Sequence, residues 1–221
     1  MAMPKHIAIS LDDISDWCSK KNKKSNECYA EYFKILSRLL ELQVNSKIPI
    51  FTVYLLPDIE KSTDDYMIFC NFLFDFFNWL CDDTIIQKEK IKISVFGKWY
   101  NLPGKLVESV KKLIENTKEY DNFFVNFCIN YDGQEEIVDA CKLISKQVEV
   151  GKIHPDMITK DTIKENVYSS YFLAPDVILV YGKKRYSGLL LWDSVNSNIV
   201  FADKSFMEFE EEDIKNLLLP V

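Results

Sequence analysis

Three groups of residues have the types and spacing to do chemistry on an anion or a cation. Asp12 and Asp13 follow an apolar run over residues 7–11. A carboxylate at the end of a buried strand stands where a cation or polar ligand is met, though it can equally serve as a strand-end cap. Arg185 and Ser187 lie on a short basic turn, Gly182-Lys183-Lys184-Arg185-Tyr186-Ser187, between two further apolar runs. A guanidinium with a hydroxyl two residues on suits phosphate oxygens, although a surface turn need bind nothing. The stripe Phe69, Phe72, Leu73, Phe76, Phe77 and Trp79 could wall an apolar pocket, whereas Tyr29 packs at a helix start. Aromatic faces there could stabilise a cation, and plain core packing explains the same stripe. His6 and His154 are too far apart in context to form a dyad. His6 reads as a structural histidine in the first strand.

The elements that must position these groups are legible as alternating patterns. Apolar runs at residues 7–11, 50–56, 91–96, 123–129, 177–181 and 199–201 are rich in Val, Ile, Phe and Tyr on both faces, as in a parallel sheet. Helical periodicity marks residues 29–42, 66–81, 106–116, 135–148, 159–168 and 210–218. This alternation predicts one α/β domain over residues 1–221, with a mainly parallel six-stranded sheet flanked by helices. A polar loop is expected at residues 19–27, near the sheet edge where ligands bind.

Composition narrows the class. The net charge is −7, which leaves no basic surplus for nucleic acid. Six cysteines are scattered singly, which predicts free thiols in a reducing cytoplasm. The opening residues are polar and lack a leader pattern. The longest apolar stretch, residues 66–81, contains Asn71, Asp75 and Asn78, so no transmembrane segment is expected.

Four ordered partial motifs then carry a resemblance. Pro4-Lys5-His6-Ile7-Ala8-Ile9-Ser10-Leu11-Asp12, Gly97 with Leu102-Pro103, Asn130-Tyr131-Asp132-Gly133-Gln134-Glu135-Glu136-Ile137-Val138-Asp139-Ala140, and Pro175 through Asp203 resemble the cis-prenyltransferases, the undecaprenyl diphosphate synthase family. The last stretch parallels that family's Pro-Asp strand, Arg-Thr-Gly-Gly-Glu turn, Arg-x-Ser-x-Phe-Leu-Leu-Trp and Phe-Thr-Asp strand. The resemblance implies Asp12 on magnesium and on an allylic isoprenoid diphosphate, with Asp13 and Trp17 at the substrate. It also implies Arg185 and Ser187 on phosphate, and Asn198 where the family has a magnesium-holding Glu. Tyr29, seventeen residues after Asp12, matches a Tyr that helps steer a carbocation in relatives resembling tuberculosinyl-adenosine-type transferases.

The same alignment shows departures. The family's glycine loop and its Arg are replaced by Asp13, Ile14, Ser15 and Asp16, which reverses that Arg's charge. A second Arg becomes Ser25, the Arg of the turn becomes Val180, and the Ser-x-x-Asn becomes Pro57, Asp58, Ile59 and Glu60. Two expectations follow. One is an atypical isoprenoid diphosphate enzyme, by prenyl transfer or terpene-synthase-like ionisation, without long-chain elongation. The other is an inactive accessory subunit, resembling the Nogo-B receptor type, or a ligand-binding homologue. The resemblance also implies a homodimer, or a heterodimer with a cis-prenyltransferase, through the region around residues 185–192.

Overall fold

The computed structural model describes residues 3–11, 14–55, 64–182 and 184–218. Its strands are β1 (His6–Leu11), β2 (Ile50–Tyr54), β3 (Ile91–Phe96), β4 (Phe123–Cys128), β5 (Val177–Tyr181) and β6 (Asn198–Phe201). They form one six-stranded sheet in the order β3-β4-β2-β1-β5-β6, and every pairing is parallel. Every residue of β1 and of β5 is buried. Burial on both faces is why these strands read as continuous apolar runs.

The helices are α1 (Ile14–Lys21), α2 (Ser25–Asn45), α3 (Asp64–Asp82), α4 (Thr84–Lys88), α5 (Gly104–Thr117), α6 (Gly133–Glu149), α7 (Lys160–Lys164) and α8 (Glu211–Leu218). Successive strand side chains point to opposite faces. Ile7, Ile9 and Leu11 therefore join the larger core, with residues of α2, α3 and α5. Ala8 joins a second core with Ile178, Val180, Tyr131, Leu189 and Leu190. At the start of α6 the Asp132 carboxylate accepts from the backbone N–H groups of Gln134 and Glu135, at 2.8 and 3.0 Å. This satisfies two amide groups that the helix leaves unpaired.

Three expectations change. The polar loop shrinks to residues 22–24, because α1 runs through Lys21 and α2 starts at Ser25. Ile14 and Trp17, three positions apart, bury one side of α1, and that anchors an otherwise polar helix. The helix expected at residues 159–168 is the five-residue α7, followed by turns. Cys18 and Cys28 are not free: they form a disulfide between α1 and α2, with Cα atoms 6.1 Å apart. Cys70, Cys81 and Cys128 are free and buried, and Cys141 is free and exposed. Among the described residues no helix is long and apolar enough to cross a membrane.

Candidate active site

The carboxyl ends of β1 and β5 meet at one edge, where Ser10 is in register with Val180 and Leu11 with Tyr181. From β1 the chain proceeds to β2 on one side, while β5 leads to β6 on the other. Such a switch point opens a crevice outside the strand ends. Ser10 interrupts the apolar pattern of β1 there and is fully buried. Its hydroxyl meets the Ser187 hydroxyl at 3.0 Å, which fixes Ser187 against the strand end. Arg185, two residues earlier, is exposed and has no partner among the described residues. Its neighbour Lys184 is ion-paired with Asp203. Asp12 and Asp13 follow Leu11 in sequence and lie outside the described residues, as do residues 57–60.

Tyr29 is buried in α2, with its ring edge-on to Phe69 at 5.4 Å and tilted against Phe72 at 6.3 Å. Burial, with the Asp65 carboxylate nearby, raises its pKa well above the usual phenol range, so it stays neutral. It walls a small cavity of about 170 Å³ with Ile14, Ser25 and Asp65. The Ser25 hydroxyl donates to Asp65 at 2.6 Å, so a carboxylate stands close to where the family carries an Arg. Core packing accounts for most of the aromatic stripe. Phe33 touches Phe69 at 5.7 Å and Phe76 at 5.2 Å, while Trp79 remains 41% exposed.

Trp17 faces elsewhere. It lines a different cavity, of about 420 Å³, with Lys20, Lys21, Lys184, Lys204 and Asp203. Its ring lies under the Lys23 ammonium, 4.7 Å from the centroid. The two sides of α1 therefore border two cavities, and Tyr29 and Trp17 do not share one.

Asn198 is not brought to this edge within one chain. It opens β6 in register with Val177, whereas Leu11 is in register with Tyr181. Four positions along a strand are about 13 Å. For a hard cation such as magnesium, carboxylate oxygens, the type that Asp12 and Asp13 carry, are suitable by chemistry. Among the described residues no three His, Cys, Asp or Glu side chains gather. Val180 is 2% exposed inside the second core and offers no charge to a ligand. The sequence reading missed Ser10 and Asp65. For Ser10 the signal was one polar residue in a buried strand. For Asp65 there was none, because its pairing with Ser25 joins two helices.

Residues 12–220 match a family model described as putative undecaprenyl diphosphate synthase. The tritrans,polycis-undecaprenyl-diphosphate synthase (geranylgeranyl-diphosphate specific) of Thermoplasma volcanium is 30% identical over 213 residues, covering 95% of this chain and 83% of that protein. The isoprenyl transferase of Halalkalibacterium halodurans is 26% identical over 215 residues, covering 95% and 82%. Among solved structures, lavandulyl diphosphate synthase from Lavandula x intermedia, in complex with dimethylallyl diphosphate, superposes with a TM-score of 0.91 at 21% identity, covering 98% of this chain and 94% of that one. A probable undecaprenyl diphosphate synthase from Campylobacter jejuni gives a TM-score of 0.75 at 21% identity, with the same coverage.

Proposed function

The chain belongs to the cis-prenyltransferase family, and from that premise we propose that it acts on an allylic isoprenoid diphosphate without long-chain elongation. The observation that carries this reading is a half-complete anion clamp. Ser187 is seated on Ser10 and Arg185 has no partner among the described residues, while Val180 is apolar and buried. Elongation requires two diphosphates held at once. Each charge-assisted contact contributes about 1.5–3 kcal/mol, so a clamp with one guanidinium favours one bound diphosphate. A protein of the same fold was crystallised with dimethylallyl diphosphate, a five-carbon allylic ligand.

In this reading Arg185 and Ser187 hold phosphate oxygens at the β1/β5 edge. The allylic carbon–oxygen bond breaks with its electron pair leaving on the diphosphate. The neutral ring of Tyr29 faces the allylic end, where positive charge develops. An acceptor, or loss of a proton, then completes prenyl transfer or a terpene-synthase-like outcome. Magnesium, when bound through Asp12 and Asp13, neutralises the diphosphate charge and makes it a better leaving group. Trp17 contributes from the far side of α1 by anchoring that helix.

The test is incubation with magnesium, labelled isopentenyl diphosphate and an allylic diphosphate of five to twenty carbons. The expected products carry no more than one or two added units. Long polyprenyl products would overturn the reading.

A second reading, a cytoplasmic accessory subunit, is favoured by the Ser25–Asp65 pair, which puts a carboxylate close to where the family uses an Arg. Either reading goes with a homodimer, or a heterodimer with a cis-prenyltransferase. Leu189 and Leu190 are core residues, so only the half-buried Leu191 and Trp192 of that run are left for such a contact. Sedimentation at micromolar concentration, alone and with a cis-prenyltransferase, is expected to show a dimer.

A further inference from the structure

The segment that carries Arg185 and Ser187 ends in an unusual backbone. Gly188 has φ +82° and Leu190 has φ +51°. The left-handed region costs an L-residue other than glycine roughly 1–2 kcal/mol, so Leu190 must be held there by its surroundings. Its N–H donates to the Tyr131 hydroxyl oxygen at 3.0 Å, in a buried bond. The Tyr131 hydroxyl in turn donates to one Glu136 carboxylate oxygen at 2.6 Å. The other Glu136 oxygen accepts from the Tyr168 N–H at 2.9 Å, and the Tyr131 carbonyl accepts from the Tyr54 hydroxyl at 2.8 Å. Tyr131 is 3% exposed and Glu136 is 1% exposed.

Two further features fit a seat made for this loop. A Cβ at Gly133 would lie 2.1 Å from the Gly188 carbonyl oxygen and 2.7 Å from the Leu191 Cβ, so the loop rests directly on the start of α6. Glu136 is a buried carboxylate with hydrogen-bond donors but no ion-pair partner among the described residues. A buried carboxylate is costly unless its bonds are all made, and here one of them is made to the group that holds Leu190.

We propose that Tyr131 and Glu136 form a positioning pair: by fixing the left-handed turn at Gly188–Leu190 they set Ser187 on Ser10 and aim Arg185 at a diphosphate. The inference rests on the reading of Arg185 and Ser187 as the anion clamp. Neither Tyr131 nor Glu136 touches substrate. The pair acts through the backbone of residues 187–190.

The experiment measures binding of inorganic pyrophosphate with magnesium by calorimetry, and amide hydrogen exchange at residues 186–190, on the full chain. Tyr131→Phe removes only the hydroxyl. It is expected to weaken pyrophosphate binding about tenfold and to speed exchange at Leu190 at least tenfold. In an Arg185→Ala background the same change should alter binding less than twofold, because the two act on one contact. Glu136→Leu should behave like Tyr131→Phe, and Glu136→Gln should fall between it and wild type, because its one oxygen can accept from Tyr131 only with its NH2 turned against the Tyr168 N–H. Gly188→Ala opposes the left-handed turn from the loop itself, where a Cβ has open space, and should reproduce the loss without touching the pair. Unchanged exchange at Leu190 in Tyr131→Phe overturns the pair, with or without ligand. Faster exchange with wild-type pyrophosphate affinity also overturns it. If wild type binds no pyrophosphate, the anion-clamp reading fails, and the exchange data alone then decide whether the pair holds the turn.

Discussion

At its opening end β1 presents His6, whose Nδ1–H donates to the Leu173 carbonyl at 2.7 Å and whose Nε2 accepts from the Thr52 hydroxyl at 2.8 Å. Thr52 is bonded in turn by the Asn126 amide at 3.1 Å. Towards its closing end, four residues on, the same strand presents Ser10 to Ser187, and the exposed Arg185 has no partner among the described residues. At one end the His6 ring makes both of its hydrogen bonds inside the chain. The other ends in a cation that no described residue pairs with. A polar residue in a buried strand is therefore uninformative by type alone. What separates structure from function is whether its hydrogen bonds end inside the chain.

The contrast can be broken at either end, and the buried end should give the larger effect. Burial lowers the His6 pKa from 6.5 to about 4, so the unfolded chain binds a proton that the folded one refuses. That contribution to stability is full above about pH 6.5 and is lost as the pH falls towards 4. It amounts to about 3 kcal/mol over that window. Denaturant titrations across it should show the loss, and His6→Leu should flatten it. The substitution should also destabilise at neutral pH by about 1–3 kcal/mol, because Thr52 and the Leu173 carbonyl lose their partner. Prenyl transfer per folded molecule should not change. A large fall in activity at constant folding would erase the distinction between the two ends.

Arg185→Ala should do the reverse. Losing a charge-assisted phosphate contact of about 1.5–3 kcal/mol predicts a roughly 10- to 100-fold drop in kcat/KM. The melting temperature should hold, since the side chain is exposed and pairs with no described residue. Ser187→Ala is the gentlest probe. A neutral hydrogen bond contributes about 0.5–1.5 kcal/mol, so kcat/KM should fall only a few-fold to about tenfold. Its effect should exceed that of Ser187→Thr, which keeps the hydroxyl.

Much of the frame was legible because parallel interior strands write themselves as unbroken apolar runs. The runs at residues 91–96 and 177–181 coincide with β3 and β5. Helix α1 was not legible: only Ile14 and Trp17 are buried in it, too few to show a period beside its lysines. The Cys18–Cys28 pair was invisible because a spacing of ten matches no motif and depends on how α1 packs on α2. Asn198 shows the limit of arguing by correspondence. Residue order fixes a position along β6, but only the register with β5 shows which end of the sheet it occupies. Tyr131 and Glu136 stand in the Asn130–Ala140 motif, yet the bond from the Leu190 backbone to the Tyr131 hydroxyl spans 59 residues and leaves no local trace.

The most direct test of the central claim, that the β1/β5 edge performs chemistry on an allylic diphosphate, is pyrophosphate release. Wild type and Asp12→Ala are compared on dimethylallyl, geranyl, farnesyl and geranylgeranyl diphosphates with magnesium. Wild type is expected to release pyrophosphate from at least one of them. Asp12→Ala should lose the activity, because stabilisation of the leaving group of several kcal/mol goes with the metal contact, while its melting temperature stays within a few degrees of wild type. A wild type that neither releases pyrophosphate nor binds any of the four by calorimetry would contradict the claim and leave the accessory-subunit reading in its place.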